Sequence, residues 1–92
     1  MSLNSECPLC VAQRITTRYY ADDECWIADC LICHVPMVVW RHHDPTPPAS
    51  VREELRNQLS AVANEVFGAD EWYYDDHMRN IPDHYHGHAR PR

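Results

Sequence analysis

Three of the seven histidines in this 92-residue chain occupy alternate positions near its end: His84, His86 and His88. If the segment is a β-strand, alternate side chains point to one face of the sheet, so the three imidazoles would form a row. Histidine titrates near physiological pH, so one neutral ring can attack phosphorus while a protonated neighbour protonates the leaving group. His86, flanked on both sides, is the expected nucleophile. The alternatives are a disordered terminus, a metal-binding tract, and a merely polar strand face.

The cysteines form a second group of residues that could carry chemistry. Two pairs follow the pattern C-x2-C, and their separation is typical of a structural zinc site held by four thiolates: Cys7, Cys10, Cys30 and Cys33. Such a closed site would stabilise the fold and leave no position for a reactive water. Ordinary buried cysteines are the alternative. Cys25 lies outside the pattern and is expected to be a strand residue, whereas His34 follows the second pair and could join the active site or cap the knuckle.

The elements that must position these residues are visible in the hydrophobic pattern. Residues 15–21 and 25–28 predict two strands joined at Asp22-Asp23, and this hairpin would bring Cys10 close to Cys30. Residues 34–41 predict a buried strand, residues 71–78 a fourth strand, residues 78–83 a loop and residues 84–89 the last strand. The sequence therefore predicts an α+β fold: a mostly antiparallel sheet of about five strands with one main amphipathic helix, and zinc knuckles at the N-terminal hairpin.

The helix is predicted to begin at Ser50, where Ser50 and Glu53 have the spacing of a capping box. Gly68 is its expected end. The residues expected to face the sheet are Val51, Leu55, Leu59, Val62 and Val66. In the last strand Tyr85, Gly87 and Ala89 would face away from the histidines, and the two small residues would suit close packing against the helix.

Composition limits the classes of function. The length fits a single domain, residues 1–92, and a hydrophobic fraction of 45% is normal for a globular protein. The net charge of −6 and the lack of lysine make broad binding to nucleic acid an unfavourable hypothesis. No apolar run could span a membrane, and residues 1–6 lack the features of a signal peptide, so a cytoplasmic location is expected. In that reducing compartment, metal binding by the cysteines is favoured over disulfides.

The order of these features resembles that of the histidine triad proteins, a family of nucleotide hydrolases and transferases. The pattern His84-x-His86-x-His88 resembles the motif that gives the family its name. Ahead of it lie a Cys-x-x-Cys pair, a hairpin with an acidic turn, an apolar strand that ends in His42-His43, and an amphipathic helix. The resemblance covers nearly the whole chain.

The resemblance implies an α+β fold, often homodimeric, that binds nucleotide phosphates along the triad strand. It also implies a nucleotidyl adduct on His86, assisted by His84 and His88. Zinc-bearing members of the family use two cysteines and two histidines, which by position would be Cys7, Cys10, His84 and either His42 or His43. The set of four cysteines is preferred, because both knuckles would meet at one end of the hairpin, and it would also leave His84 to the triad.

Several features differ from the family's usual pattern: the chain is shorter than typical members, and its second cysteine pair is an addition. The family usually has apolar residues between and after the histidines, where this chain has Tyr85, Gly87, Ala89 and Arg90. The glutamine and small polar residues that commonly precede the triad and hold phosphate are not obvious in this sequence, where Asn80 stands nearest to their position. Arg79, Arg90 and Arg92 are therefore candidate phosphate ligands.

Two functional hypotheses follow. In the first, the chain is a small histidine-triad-like domain with structural zinc that hydrolyses or transfers at a nucleotide α-phosphate. Its partners would be a nucleotide or other small phosphorylated substrate and a second copy of the chain. In the second, it is a non-catalytic interaction module similar to a zinc ribbon, with a mobile histidine-rich tail. An ordered strand at residues 84–89 would favour the first hypothesis.

Overall fold

A computed structural model describes residues 17–30, 34–77 and 84–92. Within these ranges, five strands form one antiparallel sheet in the order β1-β2-β3-β5-β4. The strands are β1 (Arg18–Ala21), β2 (Cys25–Asp29), β3 (Pro36–Trp40), β4 (Trp72–Asp75) and β5 (His86–Pro91), and a helix, α1 (Ala49–Val66), joins β3 to β4. This architecture is the α+β fold that the sequence predicts.

The hairpin between β1 and β2 depends on the side chain of Asp22. Its Oδ1 accepts hydrogen bonds from the amides of Glu24 and Cys25, each 2.8 Å long, and this is the way aspartate stabilises a turn. The acidic turn is thus confirmed. The predicted zinc knuckles cannot be placed on the hairpin, because Cys7, Cys10 and Cys33 lie outside the described residues.

Strand β3 lies at the centre of the sheet, and all five of its residues are buried. Val38 and Trp40 contribute to the core beneath α1, whereas Met37 and Val39 belong to a smaller apolar cluster with Trp26. A strand with both faces covered needs apolar residues at every position. This explains why the sequence here is continuously apolar and not alternating.

Helix α1 buries one stripe of side chains against the sheet, formed by Leu55, Leu59 and Ala63. Burying each leucine contributes roughly 1.5–3 kcal/mol. The predicted stripe is wrong at its end, because Val66 is 45% exposed while Ala63 takes the buried position. Across the described ranges, no helix combines the length and the apolar character needed to cross a membrane.

The observed start of α1 differs from the prediction, whereas its observed end agrees with it. The expected capping box is wrong, because the helix begins at Ala49 and its cap residue, Pro48, makes no side-chain cap hydrogen bond. Ser50 is already inside the first turn. The expected end is confirmed, since Gly68 has a φ of 104° and its amide donates to the Asn64 carbonyl at 3.0 Å. Glycine adopts this backbone conformation without strain.

Strand β5 lies between β3 and β4 and pairs with both. Residues 86–91 are therefore an ordered part of the sheet, and not the mobile tail that the interaction-module hypothesis required. The strand begins two residues later than predicted, so His84 precedes it. The expected loop at residues 78–83 lies outside the described residues.

Candidate functional site

The pairing of β5 decides which way its side chains point. His86 pairs with Val39, and His88 pairs with Met37 on one side and Asp75 on the other. Tyr85 and Ala89 lie in the core cluster under α1. The alternation expected from the sequence is therefore present for His86 and His88, which lie on the face opposite the helix, but it does not extend to His84, which precedes the strand.

Gly87 allows β5 to approach Tyr74 closely. A Cβ atom built at Gly87 would lie 2.3 Å from the Tyr74 hydroxyl oxygen and 2.5 Å from its Cζ. The Tyr74 hydroxyl forms a 2.8 Å hydrogen bond with that of Tyr85, which in turn donates to Asp76 at 2.9 Å. At Gly87, the face of β5 that points toward α1 thus packs against a partly buried network of hydroxyl hydrogen bonds.

The hydrogen bond of His86 defines its tautomer. Its Nδ1 lies 2.8 Å from the carbonyl oxygen of His84. A carbonyl can only accept, so Nδ1 carries the proton and Nε2 keeps its lone pair in the neutral ring. Burial lowers the pKa of His86, and the bond to the His84 carbonyl only partly opposes this. At neutral pH the ring is therefore neutral, with Nε2 available as a nucleophile.

His88 lies beside His86, and the two ring centroids are 5.5 Å apart at an angle of 78°. Only 6% of the residue is exposed, and neither ring nitrogen has a hydrogen-bond partner among the described residues. Burial lowers the pKa of His88 to about 4, with further lowering from His86 and Arg90 and an opposing effect from Asp75. A buried imidazole in this state has unused hydrogen-bonding capacity that a ligand could satisfy.

The ring of His84 faces a different set of groups. It is fully buried, its Nε2 donates to the Trp40 carbonyl, and its ring meets that of His43 edge-on with centroids 5.3 Å apart. Burial, above all, lowers its pKa. The structure thus brings the rings of His86 and His88 together, whereas His84 supplies its backbone carbonyl to His86.

The described residues contain only part of each possible zinc site. Cys30 is partly buried and directly follows the end of β2. Within residues 17–30, 34–77 and 84–92, no three His, Cys, Asp or Glu residues are grouped closely enough to hold a metal ion. His34 is exposed and lies two residues before the start of β3. Cys25 is a buried strand residue, as expected, and burial raises the pKa of its thiol to about 12.

The described members of the two possible zinc sites lie at opposite ends of β3. Cys30 stands before Pro36, which begins the strand, whereas His43 and His84 lie beyond its end at Trp40. The strand alone spans about 13 Å at the usual rise per residue. One zinc ion therefore cannot use both Cys30 and the pair of histidines, because zinc ligands lie about 2.0–2.3 Å from the metal.

A charged pair beside His88 was not predicted from the sequence. Arg90 Nε lies 2.6 Å from Asp75 Oδ2, with the two side chains 23% and 13% exposed. Arg90 continues the alternation of His86 and His88, and this could be read from the sequence. The approach of Asp75 could not, because it depends on the register between β4 and β5.

No protein-family model matches the sequence, and no curated protein matches it. A search of solved structures finds a histidine triad protein from Clostridium difficile with a TM-score of 0.68 and 17% sequence identity. The alignment covers 97% of this chain and 94% of the other. The chain therefore has the fold of a histidine triad protein, as its sequence motifs imply.

Proposed function

We propose that this protein hydrolyses or transfers at the α-phosphate of a nucleotide, with His86 as the nucleophile. The observation that carries the proposal is the hydrogen bond from His86 Nδ1 to the His84 carbonyl, which leaves Nε2 as the basic nitrogen. The neighbouring His88 ring adds a second imidazole whose nitrogens have no partner among the described residues. That the phosphate belongs to a nucleotide is supported only by the likeness of the fold to a histidine triad protein.

In the first step, His86 Nε2 attacks the α-phosphorus, and a P–N bond forms as the bond to the leaving group breaks. His88 is the acid for this step. Its depressed pKa keeps it neutral in the free protein, but an anionic phosphate beside it would favour the imidazolium. The imidazolium gives its proton to the leaving group and becomes neutral.

In the second step, water attacks phosphorus and the P–Nε2 bond breaks. The neutral His88 accepts the proton of that water, so both rings return to their starting states. An alcohol or amine in place of water would give transfer in place of hydrolysis. Two adjacent imidazoles with separate roles are sufficient for these two reaction steps.

The test is turnover of adenosine phosphoramidate or of a dinucleoside polyphosphate. We expect activity in the wild type, loss of at least about a hundredfold in His86→Ala, and little change in the control variant His77→Ala. His77 suits this purpose because it is exposed and lies outside β5. Equal turnover in His86→Ala and the wild type would exclude His86 as the nucleophile.

We further propose a structural zinc ion, held by Cys7 and Cys10 with two more ligands. The approach of His43 to His84 supports the mixed set, because two imidazoles with centroids 5.3 Å apart can both reach one ion. The His84 tautomer also fits, since donation from Nε2 to the Trp40 carbonyl leaves Nδ1 as the basic nitrogen. With this mixed ligand set, zinc would hold the segment that precedes β5 in place. Thiolate ligands would also fit the expected cytoplasmic location.

The alternative set, with Cys30 and Cys33, predicts a different pattern of metal loss. Zinc content measured by mass spectrometry should fall from one equivalent in His43→Asn if the mixed set holds the ion, and stay unchanged in Cys30→Ser. The opposite pattern supports the four-cysteine set. One equivalent of zinc in both variants would exclude both of these sets.

A further inference from the structure

The ion pair between Arg90 and Asp75 lies directly beside the two histidines. Asp75 is the pairing partner of His88 across β4 and β5. Arg90 is two residues beyond His88 on the same face of β5, a separation of roughly 6.6 Å along the strand. Its Nε lies 2.6 Å from the Asp75 carboxylate, so the guanidinium is held next to the His88 ring.

The other arginines of the described chain are less well placed for this face. Arg18 pairs with Ala28, Ala28 with Met37, and Met37 with His88. The backbones of Arg18 and His88 are therefore three strand spacings, or about 14 Å, apart. The remaining four are directed elsewhere. Arg41 donates to the Asp22 carbonyl, Arg52 and Arg56 lie over the rings of Tyr85 and Tyr74 in the layer of α1, and Arg92 donates to the Trp72 carbonyl.

We propose that Arg90 is the phosphate-holding cation of this site, and that Asp75 positions it. The inference rests on the proposed function and deepens it, because it names the group that binds the substrate's phosphate oxygens. A guanidinium carries five N–H donors in a planar fork, so one arginine can keep a carboxylate partner and also donate to a phosphate.

The charge balance explains why both members of the pair are needed. A carboxylate beside His88 would by itself repel a phosphate. With Arg90 in contact the pair is neutral overall, and its cationic end can turn toward an anion. Asp75 also limits the rotamers of Arg90, which reduces the conformational entropy lost when phosphate binds.

The experiment measures binding of inorganic phosphate and of AMP by calorimetry, without any need for turnover. Arg90→Gln removes the cation and leaves the Asp75 carboxylate uncompensated, so affinity should fall at least about tenfold. The double variant Asp75→Asn/Arg90→Gln removes both charges. It should bind more tightly than Arg90→Gln alone and more weakly than the wild type.

Arg52→Gln is the matched control, because Arg52 forms an ion pair with Asp76 at 3.1 Å in the layer of α1. It should leave phosphate affinity unchanged. If Arg90→Gln fails to fold, the double variant carries the comparison with the wild type, since it leaves no unpaired charge. Thermal unfolding of each variant separates stability from binding, and a purely structural ion pair would change only the former.

Wild-type affinity in Arg90→Gln, or an equal loss in Arg52→Gln, would overturn the proposal. Failure of the wild type to bind either probe would overturn it as well. If phosphate binds in a manner that depends on Arg90 but adenosine phosphoramidate is not turned over, the nucleotide hydrolase proposal fails while the role of Arg90 stands.

Discussion

Replacing Gly87 with alanine should destabilise the fold through a single steric contact. The new Cβ would lie 2.3 to 2.7 Å from three atoms of the Tyr74 side chain. Ordinary contacts of this kind are about 3.5 Å or longer, so the rigid ring must move by roughly 1 Å. That movement disturbs its 2.8 Å hydrogen bond with Tyr85.

The expected magnitude follows from three contributions. Overpacking of a core typically costs about 1–3 kcal/mol, and a weakened hydrogen bond adds up to about 1 kcal/mol. Alanine regains roughly 0.5–1 kcal/mol because glycine is unfavourable inside a strand. The net loss in the free energy of unfolding should be about 1–3 kcal/mol, and each kcal/mol lowers Tm by roughly 4–8 °C in a domain of this size.

Urea denaturation of a double-mutant cycle provides the assay. Tyr74→Ala removes the ring that Gly87→Ala would strike, so in that background the second substitution should cost almost nothing. The coupling between the two sites should equal most of the loss seen in the single variant. A Gly87→Ala variant as stable as the wild type, or an equal cost in both backgrounds, would refute the reasoning that close packing on Tyr74 requires glycine here.

Three further predictions concern pH, the helix and a buried thiol. Folding lowers the pKa of His88 from 6.5 to about 4, so the folded state favours the neutral ring. The free energy of unfolding should therefore be unaffected by titration of this residue above pH 6.5 and should decrease by up to about 3 kcal/mol as the pH falls to 4. In urea denaturation, His88→Asn should show a weaker dependence of stability on pH than the wild type. In the same assay, Leu59→Ala should lower the free energy of unfolding by about 2–5 kcal/mol, because Leu59 is fully buried. Val66→Ala should lower it by no more than about 0.5 kcal/mol, because Val66 is 45% exposed. Because burial raises the pKa of Cys25 to about 12, peptide mapping after iodoacetamide treatment at pH 8 should find this thiol unmodified until urea unfolds the chain.

Much of the fold could be predicted from local sequence, because strands and helices leave periodic patterns. The alternation of His86 and His88 and the apolar run of β3 were sufficient for their strands. The start of α1 was harder to predict than its end. Its cap residue is Pro48, and the serine that matched a capping pattern, Ser50, lies two residues further along the chain. The small Ala63 was missed because the expected stripe counted only larger side chains.

The candidate site could be predicted only in part, because some of its contacts join residues distant in sequence. The pairing of β4 with β5 brings Asp75 to Arg90, and the end of β3 brings His43 to His84. Neither contact leaves a local signal, although the family resemblance places His84 in one possible zinc set with His42 or His43. The His84 carbonyl is a further example, since backbone groups have no residue type that a motif could contain.

The order in which the strands are synthesised differs from their order in the sheet. β4 leaves the ribosome before β5, yet β5 is its neighbour and its link to β3. A nascent chain that has emerged only as far as β4 can pair β1, β2 and β3 and pack α1 on them, but β4 has no strand to join. The two imidazoles arrive with the strand that closes this gap, so completion of the sheet and assembly of the site are the same event.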